Sequence, residues 1–178
     1  MRKKIIIDTD PGQDDAVAIL LALASTEFRV VGITCVAGNV ELELTTINAC
    51  KICELAGRPD TIVVAGAAKP ISRSLVTAKH VHGRTGLDGV DLPTPKMKIS
   101  DINAVDFIIE TLLNSKNKEI TMCALGPLTN LALAIVKEPK IIKKIDQIVL
   151  MGGGFFEGGN ITPAAEFNIF VDPEAASI

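Results

Sequence analysis

The stretch Ile5 to Asp15, which reads IIIDTDPGQDD, constrains the fold more than any other part of the sequence. Its three β-branched apolar residues predict a buried strand, and Pro11 and Gly12 predict a tight turn directly after it. The apolar run AVAILLALA follows and predicts a helix. This order places four aspartates near the carboxyl end of a strand, which is the edge where ligands bind in open α/β sheets.

Strand and helix patterns alternate along the rest of the sequence. Strands are predicted at about residues 4–8, 29–35, 61–65, 120–125 and 145–151, and helices from 14 or 15 to 25, at 41–56, at 103–115 and from 126 to 136. At the first helix, Asp14 or Asp15 is the expected cap. The alternation predicts a single α/β domain over residues 1–178, with a mostly parallel sheet flanked by helices on both faces.

The composition disfavours several classes of function. Aromatic residues make up only 3% of the chain, and the net charge is −3. Nucleic-acid binding relies on clustered cations and aromatic stacking, so we expect no nucleic-acid partner. No window is long and apolar enough to span a membrane, and the apolar run after the basic start ends at Asp8, too early for a signal peptide. We therefore expect a cytoplasmic protein without a membrane partner.

The four cysteines offer a metal or redox interpretation, because Cys50 and Cys53 form a CxxC. Both lie in a segment of helical period, and no second CxxC pairs with them. We interpret them as buried or half-buried thiols of a reduced protein.

Two segments depart from the alternation. Residues 67–100 have no clear periodicity and contain HVHGRTGLDG, and a loop this long is usually functional or mobile. Near the C-terminus, Asp172 and Pro173 have the pattern of a helix cap and a first helical residue. A helix of barely one turn has little reason to form, so we expect this chain to be the C-terminally truncated front part of a longer fold.

The crowded aspartates predict a cation site. Carboxylates this close repel one another, and a hard divalent ion with oxygen ligands, calcium or magnesium, relieves that repulsion. In the alternative interpretation, Asp14 and Asp15 merely cap the helix, while Asp8 and Asp10 form a solvated strand end.

Two chemistries are compatible with such a site. A carboxylate can deprotonate a metal-bound water that attacks an electrophilic carbon. Alternatively, an aspartate can be the nucleophile of phosphoryl transfer. The second resembles haloacid-dehalogenase-like phosphatases through Asp8 and Asp10, but Pro11 stands where that family has Thr or Val, and its later lysine and acidic motif are not evident.

A second polar cluster favours a sugar over a phosphate. Asn160, Glu166 and Asn168 lie in NITPAAEFN, and they are neutral or negative. Amide and carboxylate groups suit sugar hydroxyls, which need both donors and acceptors. Glu166 and Asn168 are two positions apart, so an extended segment would place them on one face.

At this point the motifs resemble a known family, the inosine-uridine preferring nucleoside hydrolases. The resemblance begins with DTDPGQDDA at residues 8–16, the most specific motif. It continues in family order through VAGN at 36–39, HGRTGL at 82–87, GPLTN at 126–130, MGG at 151–153 and AEFN at 165–168. It implies a nucleoside-hydrolase-like α/β fold with a Rossmann-like core, and hydrolysis of the N-glycosidic bond of purine or pyrimidine ribonucleosides such as inosine or uridine.

The resemblance also implies roles for individual residues. Asp10 would be the general base acting on a Ca²⁺-bound water, and the Ca²⁺ ligands would be Asp10, Asp15 and the Leu125 carbonyl, with Asp8 a further candidate. The substrate-binding residues would be Asp14, Asn39, Asn160, Glu166 and Asn168, with His82 a further candidate near the base.

Members of this family run well beyond residue 178, and their later part carries a histidine that protonates the leaving base and an aspartate that completes the calcium site. An alternative is therefore a catalytically inactive fragment, and the phosphatase using Asp8 and Asp10 is a second alternative. Exposed sheet edges and apolar surface would favour association, so we expect a homo-oligomer.

Overall fold

The computed structural model describes residues 2–178, and its central feature is a five-stranded sheet in which every strand pairing is parallel. The strand order is β3-β2-β1-β4-β5. The strands are β1 (Lys3–Thr9), β2 (Phe28–Cys35), β3 (Val63–Ala65), β4 (Ile120–Ala124) and β5 (Ile145–Leu150). The predicted parallel α/β sheet is confirmed.

Helices connect the strands and cover the sheet. They are α1 (Gln13–Ala24), α2 (Leu42–Leu55), α3 (Lys79–His82), α4 (Ala104–Leu113), α5 (Thr129–Lys137), α6 (Phe167–Val171) and α7 (Pro173–Ser177), with a 3-10 helix at Pro139–Lys144. Most of the predicted helices agree with these bounds to within a few residues. In α4, the Asn103 side chain accepts a hydrogen bond from the Val105 N–H at 2.9 Å and so caps the helix.

The two faces of the sheet form two separate apolar clusters, because successive side chains of a strand point to opposite sides. In β1, Ile5 and Ile7 pack with residues of α1 and α2, including Ile19. The intervening Ile6 packs on the opposite face with residues of α4 and α5, including Leu112. The helices on both faces agree with the sequence pattern.

The strand order places a crevice beside β1. The chain leaves β1 toward β2 on one side, whereas β4 enters the sheet on the other side of β1. In open parallel sheets, a ligand crevice forms where the strand order reverses in this way, at the carboxyl ends of the strands. The aspartates of DTDPGQDD lie at this point.

Three predictions about local structure were wrong. Helix α1 begins at Gln13 with Gly12 as its N-cap, so Asp14 and Asp15 lie inside the first turn. The segment 67–100 contains the short helix α3 and a bridge between Ser100 and Val64. Near the C-terminus, the predicted cap Asp172 and first helical residue Pro173 are confirmed, but the expectation that so short a helix has little reason to form was wrong, because α7 forms with only five residues.

Helix α7 forms because its cap is tied into the rest of the fold. The Asp172 carboxylate accepts hydrogen bonds from the Ala175 N–H at 3.0 Å, the Ile71 N–H at 3.0 Å and the Thr129 hydroxyl at 2.6 Å. Tertiary contacts thus supply the stability that a single helical turn lacks.

The β5 side of the sheet is the least covered. Val149 is 52% exposed and Leu150 is 46% exposed.

Within residues 2–178, no helix is long and apolar enough to cross a membrane. All four cysteines are free thiols, and burial raises the pKa of Cys50 to about 11 and of Cys53 to about 12, so both stay protonated. The homo-oligomer, the cytoplasmic location and the single-domain organisation stay predictions.

Candidate active site

Asp10 is the central side chain of the crevice. It follows β1 directly and is only 1% exposed. Its Oδ2 accepts a hydrogen bond from the Asn39 N–H at 2.7 Å, and the Asn39 side-chain amide donates to the Asp10 carbonyl at 3.0 Å. The loops after β1 and β2 are therefore joined through Asp10 and Asn39, as expected for two neighbouring strands that end at the same edge.

Two glycines make room for the Asp10 carboxylate. A Cβ atom at Gly38 would lie 2.1 Å from Asp10 Oδ2, and a Cβ atom at Gly126 would lie 2.5 Å from Oδ1. Both distances are far shorter than van der Waals contact, so a side chain at either position would displace the carboxylate. The glycines of the VAGN and GPLTN motifs thus have a steric reason to be glycine.

Asp15 lies in the first turn of α1, and two hydrogen bonds fix its carboxylate. Its Oδ1 accepts from the Thr9 hydroxyl at 2.7 Å, and its Oδ2 accepts from the Gly12 N–H at 3.1 Å. Asp15 is 6% exposed, whereas its neighbour Asp14 is exposed. The two consecutive aspartates therefore have different environments, although both line the same cavity.

Asp8 lies under the site and does not line the cavity. It is fully buried between strands, where its Oδ1 accepts from the Thr34 hydroxyl at 2.5 Å and from the Asn130 amide at 2.9 Å. Its Oδ2 has no hydrogen-bond partner within the described chain. Among the candidate metal ligands, Asp8 is thus the one that the structure separates from the cavity.

The buried carboxylates share a direction of pKa shift. Burial raises the pKa of Asp8 to about 6, against the hydrogen bonds from Thr34 and Asn130. Burial also holds the pKa of Asp10 well above its ordinary value, and the nearby Asp15 carboxylate adds to that rise. Burial raises the pKa of Asp15 as well, while the Thr9 hydroxyl opposes this. Negative charge here is costly unless a cation or a proton compensates it.

The second polar cluster reaches the same cavity from α6. Glu166 is the N-cap of this helix and accepts from the N–H groups of Asn168 and Ile169, at 3.0 and 3.1 Å, and of Gly153, at 3.0 Å. The Asn168 amide donates to the Leu125 carbonyl at 2.8 Å. The expectation that Glu166 and Asn168 share one face of an extended segment was wrong, because the capped helix begins between them.

Asn160 supports this cluster from the preceding loop. Its Oδ1 accepts from the Phe167 N–H at 2.7 Å, which ties the loop containing Asn160 to the start of α6. On the opposite side of the cavity, His82 at the end of α3 is paired with Gln13, with 2.6 Å between His82 Nδ1 and Gln13 Oε1.

These groups surround one cavity of about 220 Å³. Every candidate site residue except Asp8 lines it, namely Asp10, Asp14, Asp15, Asn39, His82, Leu125, Asn160, Glu166 and Asn168. The lining also includes residues that sequence reasoning did not select: Ala78, His80, Val81, Met151, Ile161 and Phe167. The structure thus brings the predicted residues together, while their individual roles stay predictions.

Sequence reasoning missed the function of Asn130 in this arrangement. Its amide donates to Asp8 Oδ1 and to the Cys35 carbonyl at 3.0 Å, and its Oδ1 accepts from the Ala67 N–H at 2.8 Å. Asn130 therefore joins the ends of β1, β2 and β3. The available signal was a polar residue in the first turn of an otherwise apolar helix.

The donor set suits a hard cation in part. Asp10, Asp15 and the Leu125 carbonyl line one cavity and offer only oxygen, which Ca²⁺ and Mg²⁺ prefer. Within residues 2–178, no group of three or more His, Cys, Asp or Glu side chains is placed to hold a metal ion. The three oxygens fit as part of a shell, and Ca²⁺ takes six to eight ligands, so others would complete it.

The fold and the cavity together define a Rossmann-like α/β protein with an acidic, amide-rich ligand site. The family model for inosine-uridine preferring nucleoside hydrolases matches residues 5–178. The chain therefore belongs to the inosine-uridine preferring nucleoside hydrolase family, as its motifs predict.

Individual relatives agree with this assignment. The pyrimidine-specific ribonucleoside hydrolase RihA of Shewanella sp. (strain ANA-3) is 49% identical over 178 residues, covering 100% of this chain and 55% of that protein. The inosine-uridine preferring nucleoside hydrolase of Leishmania major is 45% identical over 179 residues, covering 100% of this chain and 57% of that protein.

Solved structures resemble the fold closely as well. The purine-preferring ribonucleoside hydrolase from Gardnerella vaginalis superposes with a TM-score of 0.93 at 39% identity, covering 98% of this chain and 56% of that one. The chain thus spans about half the length of the relatives that it matches.

Proposed function

We propose that this protein hydrolyses the N-glycosidic bond of ribonucleosides to give ribose and a free base. The observation that carries the proposal is the single cavity in which three aspartates meet Asn39, Asn160, Glu166 and Asn168 at the carboxyl edge of a parallel sheet. Membership in the nucleoside hydrolase family supports the same reaction. The oxygen of a water would bond to the anomeric carbon, the nucleobase would leave with the electron pair of the C–N bond, and the proton lost by the water would balance the one that the nucleobase takes up.

The lining of the cavity favours a sugar over a phosphate. Amide and carboxylate groups offer the donors and acceptors that ribose hydroxyls require. The lining residues, within the described part of the chain, include no lysine or arginine, the side chains that usually bind phosphate. This composition argues against the phosphatase alternative, in which Asp8 would also have to reach the substrate from its buried position under the site.

Asp10 is the proposed general base. Asp10 lines the cavity, and its carboxylate is fixed by the Asn39 N–H, so its position needs little rearrangement on binding. A base must be ionised to accept a proton from water, yet burial and Asp15 raise the pKa of Asp10. The proposed role therefore needs positive charge near Asp10.

A divalent cation, proposed as Ca²⁺, would meet this need. Asp10, Asp15 and the Leu125 carbonyl would hold it. When bound, such an ion stabilises ionised carboxylates and lowers the pKa of a coordinated water. Asp8 is not part of this proposed ligand set, because it does not line the cavity.

The remaining carboxylates would act on the sugar. Cleavage of a glycosidic bond passes through an oxocarbenium-like state with positive charge on the ring. Asp14 and Glu166 place carboxylate oxygens around the proposed ribose position, and fixed negative groups stabilise charge that develops there. Asn39, Asn160 and Asn168 would bind hydroxyls. The two related hydrolases named pyrimidine-specific and purine-preferring differ in base, so ribose contacts are the shared part of the proposal.

The test is release of reducing sugar from inosine and uridine, with and without a chelator. We expect release that the chelator abolishes, and we expect Asp10→Asn to abolish it while leaving the fold largely intact. Asp91→Asn, at an exposed position that does not line the cavity, is the matched control and should keep full activity. Retained turnover in Asp10→Asn would rule out its role as base. Ribose binding without ribose release by the wild type would support the inactive alternative.

A further inference from the structure

Gln13 makes three contacts that neither the proposed reaction nor the fold explains. It lies inside DTDPGQDD, at the start of α1, and its side chain is exposed. Its Oε1 lies 2.6 Å from His82 Nδ1, and its Nε2 donates to the carbonyls of His82 and Asp88, each at 3.4 Å. One side chain thus contacts both ends of the segment 82–88, of which His82 lines the cavity.

These contacts fix the orientation of the Gln13 amide. Backbone carbonyls can only accept hydrogen bonds. The NH₂ group of Gln13 must therefore face the two carbonyls, and its Oε1 must face the imidazole of His82. Oε1 is an acceptor, so Nδ1 of His82 must carry a hydrogen. A neutral imidazole carries only one N–H, so when Nδ1 is protonated, Nε2 has no hydrogen and is left as an acceptor.

The backbone under the imidazole supports the same placement. A Cβ atom at Gly12 would lie 2.6 Å from His82 Nδ1 and 2.9 Å from Cε1, so the ring packs against a residue that must be glycine. The Ala78 N–H donates to the Asn39 carbonyl at 3.0 Å. His82 is therefore held between Gln13 and Gly12 where it lines the cavity.

We propose that Gln13 is a positioning residue that holds His82 in its Nδ1–H tautomer, so that Nε2 accepts a hydrogen bond from an N–H or O–H donor of the bound nucleoside. The second part of the proposal rests on the proposed function. The first part concerns the free protein and can be tested without turnover.

The tautomer is measured by ¹⁵N NMR of histidine-labelled protein at pH 8.5, to populate neutral imidazole. The sequence has only two histidines, and His80→Gln assigns the signals. We expect the Nδ1–H form for His82 in the wild type, its loss in Gln13→Met, and its retention in Gln13→Glu, which keeps an acceptor. Gln147→Met, on β5 and outside the cavity lining, should change nothing. An Nε2–H form of His82 in the wild type would overturn the proposal.

Kinetics with inosine and uridine test the second part. Losing one oriented hydrogen bond should raise KM about five- to tenfold in Gln13→Met, with kcat within about twofold. When Gln13→Met is combined with His82→Ala, it should not raise KM further, because Gln13 acts through His82. Additive effects of the two substitutions would overturn this part. Absence of turnover in the wild type would refute the proposed function, whereas the NMR result would still decide the role of Gln13.

Discussion

Burial of Asp8 under the site should make the stability of the protein depend on pH in a defined way. The side chain is 0% exposed, one of its oxygens has no partner in the described chain, and its pKa is raised from 3.8 to about 6. The difference between these values corresponds to about 3 kcal/mol. The folded state binds the Asp8 proton more tightly than the unfolded state does. The contribution of this proton to the free energy of unfolding is therefore fully present below pH 3.8. It is lost as the pH rises toward 6, and it levels off above 7.

The variant Asp8→Asn removes the titration and keeps the acceptor for Thr34 and Asn130. We expect the free energy of unfolding of Asp8→Asn, relative to wild type, to increase by about 2.5 kcal/mol between pH 4 and pH 8, because part of the full contribution is already lost at pH 4. Urea unfolding at intervals of one pH unit, with a chelator present, measures this difference. Asp10 and Asp15 titrate in both proteins, so the comparison isolates Asp8.

The matched control is Asp91→Asn, since Asp91 is exposed. Its difference from wild type should stay flat over the same range. A flat difference for Asp8→Asn, within about 0.5 kcal/mol, would show that Asp8 is ionised throughout and would refute the argument from burial.

Three further substitutions test the architecture of the site. Asn130→Ala removes the hydrogen bonds to Asp8 Oδ1, the Cys35 carbonyl and the Ala67 N–H, so we expect urea unfolding to show a loss of about 2–4 kcal/mol, and a loss under 1 kcal/mol would contradict its role in joining the strand ends. Gly38→Ala should displace Asp10 and reduce turnover more than stability, since its Cβ would lie 2.1 Å from Asp10 Oδ2; unchanged turnover would contradict the crowding. Glu166→Gln should weaken ribose binding, measured calorimetrically, and leave the preference between inosine and uridine unchanged; an altered preference alone would argue against a sugar contact.

The sequence predicted the parts of the site that depend on local pattern. The run IIIDTDPGQDD defines its own strand, turn and helix, and because parallel strands end at one edge, Asp10 and Asn39, which follow β1 and β2, meet there. Apart from the N-cap of α1, the wrong predictions concern short elements. Helix α7 has five residues, and its stability comes from contacts of Asp172 with Ile71 and Thr129, which are distant in sequence. Propensity cannot reveal such contacts, because it describes only neighbouring residues.

The function of Asn130 was hidden for the same reason. It contacts Asp8 across 122 positions, and only the register of β1 against β4 brings the start of α5 to that carboxylate. Asp8 and Asp10 also look equivalent in sequence, since they are two positions apart on one strand. Their separation into a buried residue and a cavity residue depends on where the strand ends, and Asp10 lies just beyond Thr9.

This separation determines how each carboxylate can be compensated. Asp10 and Asp15 line the cavity, so a cation that enters with solvent or substrate can offset the cost of burying them. Asp8 is enclosed by Thr34 and Asn130, and only a proton can neutralise it there. The cost of burying the Asp8 charge therefore does not depend on ligand concentration, whereas a bound cation would offset that cost for Asp10 and Asp15. Carboxylates that the sequence groups into one cluster thus differ in how their charge can be neutralised: only by a proton at Asp8, and by a proton or an incoming cation at Asp10 and Asp15.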